Sequence, residues 1–103
     1  MTGNGHVPVR LEAVVRGRVQ GVGFRWYVTS VARTLPITGW VANEPDGSVR
    51  CIAEGARDDL EQLLDELREG PPGAVVRSVD VAWLPPTGGM DRFGVRSGAH
   101  PGD

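Results

Sequence analysis

The sequence predicts an α+β fold in which two helices cover one face of an antiparallel sheet of four to five strands. Three observations predict it. Apolar and polar residues alternate in several short stretches, as half-buried strands require. Two longer stretches carry apolar residues at helical spacing. The elements follow in the order β-α-β-β-α-β, with no internal repeat and no linker.

Val9–Arg16 begins the pattern, with Leu11, Ala13 and Val15 on one face and Arg10, Glu12 and Arg16 on the other. Gly17–Gly23 holds three glycines and reads as a loop. Phe24, Val28, Val31, Ala32 and Leu35 then fall on one helical face, and Pro36 ends that helix. Ile37–Asn43 is the second strand and Glu44-Pro45-Asp46-Gly47 a turn. Val49, Cys51 and Ala53 alternate with Arg50 and Glu54, which makes a third strand and a hairpin. Ala56–Glu69 is the clearest helix. Leu60, Leu63, Leu64 and Leu67 form its stripe, Asp58 and Asp59 suit its first turn, and Gly70-Pro71-Pro72 stops it. Val75–Trp83 alternates again, with Val75, Val79, Val81 and Trp83 on one side. Phe93–Arg96 suits a short edge strand that Gly94 weakens. Right-handed crossovers put both helices on the same sheet face, which is the ferredoxin-like sandwich. The single domain is expected over 9–97, with 1–8 and 98–103 as flexible tails.

Composition narrows the chemistry. A chain of 103 residues, 40% hydrophobic and 23% charged, suits one globular domain. No apolar run approaches the roughly 18–20 residues of a membrane span, and no signal peptide is evident, so a cytoplasmic protein is expected. Cys51 is the sole cysteine, and His6 and His100 lie in the expected tails. A zinc site, a Ser/His/Asp triad and a Cys–His pair therefore lack their histidine in the folded body. All 11 basic residues are arginines, which excludes a P-loop lysine and a Schiff-base lysine. Any cation that binds an anion here is a guanidinium, planar and suited to bidentate phosphate contacts.

The informative segment is Gly17-Arg18-Val19-Gln20-Gly21-Val22-Gly23-Phe24-Arg25, joining the first strand to the first helix. Glycines let the backbone curl and bring its N–H groups towards a ligand, and a helix N-terminus adds unpaired donors. Arg25 stands in the first helical turn beside them. Two readings fit these residues: an anion cradle, or a tight turn with a solvated Arg25. A dinucleotide fingerprint would need glycine where Trp26 stands. Asn43, at the end of the second strand, is either a turn-entry residue or a functional one.

The loop, followed by Gly39-Trp40-Val41-Ala42-Asn43, by Asp46-Gly47-Ser48-Val49 and by Glu54-Gly55, resembles the acylphosphatase family over about residues 9–97. That resemblance implies hydrolysis of acyl phosphates with no metal and no cofactor. It implies that Arg25 binds the substrate phosphate. Gln20, Gly21, Val22, Gly23 and Phe24 would supply backbone amides, and Asn43 would orient the attacking water. Departures from the family pattern fall at Leu35-Pro36-Ile37-Thr38 and in the last strand around Gly94.

Other residues read as structure: Cys51 as a small buried hydrophobe, Trp40 and Trp83 as packing residues, Trp26 as core or rim. Arg18 either adds positive field to the cradle or is solvated. The rival classes are an anion-sensing domain without catalysis and an RRM-like RNA-binding module. The latter lacks aromatics on the central strands and carries a net charge of -2. A small acyl phosphate as partner, no nucleic acid, no membrane and a monomer are expected. Acetyl, carbamoyl and 1,3-bisphosphoglyceryl-type phosphates share one head group, so the sequence does not choose among them.

Overall fold

Alternation in the strands and one apolar stripe on each helix leave a single way to bury both, a sheet with helices on one face. The computed structural model, which describes residues 7–96, has that form. Its elements are β1 (Pro8–Arg18), α1 (Phe24–Ala32), β2 (Thr38–Asn43), β3 (Val49–Ala56), α2 (Arg57–Glu69), β4 (Val75–Leu84) and β5 (Phe93–Val95). The sheet order is β4-β1-β3-β2-β5. Pro8, expected in the tail, already pairs with Ala56. Val7 before it is exposed, and the remaining tail residues lie outside the described residues.

The core lies between sheet and helices. Leu11, Ala13 and Val15 of β1 and Val49, Cys51 and Ala53 of β3 face the four leucines of α2 and Phe24, Val28 and Ala32 of α1. The Tyr27 hydroxyl donates to the Glu66 carboxylate and so ties α1 to α2. Trp83 packs against the core under the Arg57 guanidinium, 3.9 Å from its ring centre, while Trp40, on the helix-free face, carries Arg96 at 4.3 Å. Both tryptophans thus pack, as the sequence suggests.

Three details differ from the expectation. Helix α1 stops at Ala32 rather than Leu35, because Pro36 disfavours helical backbone at the residue before it. The Thr34 and Leu35 amides instead donate to the Val31 and Ala32 carbonyls in a tightened last turn. In β4 the register slips: Arg16 pairs with Ser78 but Gly17 with Val76, so Arg77 is an extra, bulged residue. A one-residue slip exchanges the faces, so Val76 packs against the core where Val75 was expected, and Val75 is 53% exposed. The bulge also lengthens β1 through Arg18. Gly17 sits opposite it at φ +133°, where a Cβ would lie 2.1 Å from the Val75 carbonyl oxygen.

The third difference is β5, which pairs with β2 in parallel, in an otherwise antiparallel sheet. Strand β4 ends at the end of the sheet where β2 begins, so a chain crossing directly between those edges enters parallel. The crossing segment passes over the helix-free face. Glu54 holds it there: its carboxylate accepts the Thr87 and Gly88 amides at 2.7 and 3.0 Å and the Arg10 guanidinium at 3.0 Å. Phe93 then plugs into the core, 3% exposed.

Candidate active site

Strand β1 delivers the chain to the helix face, and glycines turn it into α1. Gly21 and Gly23 adopt φ of +75° and +77°. A Cβ at either would meet nothing within 4 Å, so the left-handed backbone alone requires glycine there. Gly23 is the N-cap of α1 and offers no side-chain cap. The first-turn amides of α1, which have no acceptor within the helix, are therefore free of a side-chain competitor for a ligand.

Val19, Gly21, Gly23 and Phe24 form one wall of a cleft of about 420 Å³. Arg25, Trp26 and Thr29 of α1 and Arg33 at its C-cap form the second, and Asn43 and Val95, the ends of β2 and β5, complete it. Arg25, Asn43, Gly21, Gly23 and Phe24, anticipated from sequence, thus meet in one place. Arg25 is half-buried, with its Nη1 shut off from solvent. Asn43 is 8% exposed and points to the helix side of the sheet with Val41.

Gln20 and Val22, anticipated in the same loop, do not line the cleft. The Gln20 side chain turns away and donates from Nε2 to the Glu44 and Ser48 carbonyls, at 2.8 and 2.9 Å. Those residues open and close the β2–β3 turn, one residue past Asn43. Gln20 therefore clamps the loop to the strand end that carries Asn43. The turn is braced in its own right. The Ser48 hydroxyl and amide donate to the Asp46 carboxylate, which they and the Arg16 guanidinium hold down at about 2.

Among the described residues, two guanidinium groups line the cleft and no carboxylate does. Guanidinium, open helix amides and an amide side chain together suit a tetrahedral anion with an oxygen attached. Among the described residues no group of three or more His, Cys, Asp or Glu is placed to hold a metal ion.

Sequence reasoning missed Thr29, Arg33 and Val95. The first two follow Arg25 at i+4 and i+8, so helical spacing pointed to them. Val95 gave no signal, since only the parallel pairing brings it near. The Thr29 hydroxyl donates to the Arg25 carbonyl at 2.8 Å. Trp26, read as core or rim, is 74% exposed and stands on the rim. Arg18 is exposed and outside the cleft. Cys51 is fully buried, and burial pushes its thiol up to about 12, out of reach of nucleophilic chemistry.

A family model described as acylphosphatase matches residues 11–95. An acylphosphatase of Salinibacter ruber is 51% identical over 87 residues, covering 84% of this chain and 92% of its own. The crystal structure of acylphosphatase from Bacillus subtilis superimposes with a TM-score of 0.82 at 34% identity, covering 85% of this chain and 98% of that one. A structure of an acylphosphatase from Coxiella burnetii gives 0.80 at 38% identity, with 86% and 93% covered.

Proposed function

The chain belongs to the acylphosphatase family and hydrolyses acyl phosphates, and from that premise we propose that Arg25 binds the phosphoryl group while Asn43 orients the water that attacks it. What supports this division is one observation: Arg25, Asn43 and the loop glycines line a single cleft, in which no carboxylate stands among the described residues.

The chemistry needs little else. An acyl phosphate is a mixed anhydride whose leaving group, a carboxylate, departs without a general acid. Water adds to phosphorus in line with the acyl oxygen, the P–O bond to that oxygen breaks, and its electron pair leaves on the carboxylate. Charge on the transferring group must be held and the water aimed. Arg25 and the amides of the Gln20–Phe24 loop serve the first need. The Asn43 carbonyl oxygen serves the second by accepting a hydrogen bond from the water. Asparagine is no base at neutral pH, so a phosphoryl oxygen takes the proton released. Gln20 holds both halves of the site in register.

A lone buried thiol, Cys51, suits a reducing cytoplasm. Among the described residues, a lining without carboxylate, histidine or thiol suits metal-independent hydrolysis.

Hydrolysis of benzoyl phosphate in EDTA tests the assignment. Arg25→Ala should lose at least roughly 10²–10³ in rate, the cost of one well-placed oxyanion donor, and should also weaken competitive inhibition by phosphate. Asn43→Ala should lose turnover with phosphate inhibition nearly intact. Equal loss of phosphate inhibition in both would overturn the division. A folded wild type that binds phosphate without turning over the substrate would make it an anion sensor.

A further inference from the structure

The cleft extends beyond the groups that hold phosphate. Arg25 and Arg33 stand at i and i+8 on α1, about 12 Å apart along the helix axis. Thr29 lies between them and Trp26 and Val95 flank them, so the cleft runs from the glycine loop towards the C-terminal end of α1. With a phosphoryl group at the loop end, this wall is left for the acyl group. At the far end stands a second guanidinium. Arg33 makes no ion pair or ring contact with any described residue, and Thr29 and Ser30, one turn back on the helix, carry no charge. Its place at the C-cap suits the helix dipole, but that needs no position in the cleft wall. Trp26, which follows Arg25 in the chain and also lines the cleft, is 74% exposed.

We propose that Arg33, which lines the cleft away from the glycine loop, selects the acyl group, favouring acyl phosphates whose acyl chain carries a second anionic group at its far end. This rests on the reading above, in which the cleft takes the phosphoryl group at the loop end. Arg33 is a specificity-determining residue here and touches no reacting atom. The second anion gains a charge-assisted contact, and the apolar chain between the anions lies against Trp26.

The test compares kcat/KM for succinyl phosphate and for benzoyl phosphate in wild type, Arg33→Gln and Arg33→Lys. The ratio of the two substrates is the readout, because any general loss of positive field at the phosphoryl group cancels in it. Arg33→Gln should lower the ratio roughly three- to tenfold, mainly through the KM of succinyl phosphate, as expected for one partly exposed charged contact. Arg33→Lys should retain most of the preference, since the charge remains. Higher salt should narrow the wild-type ratio and leave that of Arg33→Gln unchanged. An unchanged ratio in Arg33→Gln, or equal losses in both variants, would overturn the proposal. Titration with alkylphosphonates that do or do not end in a carboxylate reads the same selection without turnover. A wild type that prefers the carboxylate-bearing phosphonate but hydrolyses neither acyl phosphate would sink the catalytic reading and leave the selection by Arg33 standing.

Discussion

Gln20 lies in the phosphate loop yet serves the site from behind it. Its side-chain amide spends both donor hydrogens on the carbonyls of Glu44 and Ser48, and Asn43 precedes Glu44 directly. Two neutral hydrogen bonds between loop and turn contribute on the order of 1 kcal/mol each, but their larger effect is positional. In the proposed mechanism a water held by Asn43 must stay aligned with a phosphoryl group held by the loop, and small misplacements cost rate. Gln20→Ala should lower kcat for benzoyl phosphate about tenfold and change the phosphate inhibition constant less than about threefold, measured together in one steady-state series. A larger effect on phosphate binding than on kcat would show that Gln20 acts on the anion itself.

At the scale of elements, glycine marks where two backbones meet. In β2, Gly39 has φ +153°, and a Cβ there would lie 2.0 Å from the Ile52 carbonyl oxygen of β3. Backbone cannot yield at that point without parting the two strands. Gly39→Ala should therefore cost about 3 kcal/mol or more in urea unfolding, from strain and overlap together. Gly21→Ala meets open space and should cost only about 1–2 kcal/mol, the penalty of a left-handed backbone. If the two alanine variants were equally stable, overlap at the β2–β3 ladder would not matter. The same logic at Gly17 explains why β1 runs past its alternating pattern: glycine admits the bulge at Arg77 and carries the strand two residues further towards the site.

For the whole molecule, the crossing from β4 to β5 decides which residues close the cleft. That segment carries no apolar periodicity, so Glu54 fastens it. Burial alone would raise the Glu54 carboxyl. The Thr87 amide, the Arg10 guanidinium and the Gly88 amide outweigh burial and hold the group at about 2 instead of 4.5. A depressed native pKa contributes stability that is present above the unfolded value and is lost as pH falls through the folded one. Unfolding free energy should therefore decline as pH falls from about 4.5 to about 2, and Glu54→Gln should flatten that decline while lowering stability at neutral pH. Urea titrations at several pH values read both effects. A wild-type profile with no slope in this window, or the same slope in Glu54→Gln, would mean that Glu54 does not anchor the crossing. Asp46 is also held at about 2 but stands in water, so its share is small.

The sequence by itself determined the layers, the element order, the helix stripes and the loop that turns into α1, because each rests on local periodicity or on glycine chemistry. The motifs Gly17–Arg25 and Gly39–Asn43 likewise marked Arg25 and Asn43 before any coordinates. Tertiary structure alone decided three things. It placed Val76 rather than Val75 in the core, since a bulge depends on the partner strand. It set β5 parallel and so brought Val95 to the cleft, since edge pairing depends on where the crossing emerges. And it tied the Gln20 side chain to the hairpin, since a side chain's partner is fixed by what packs beside it rather than by its neighbours along the chain.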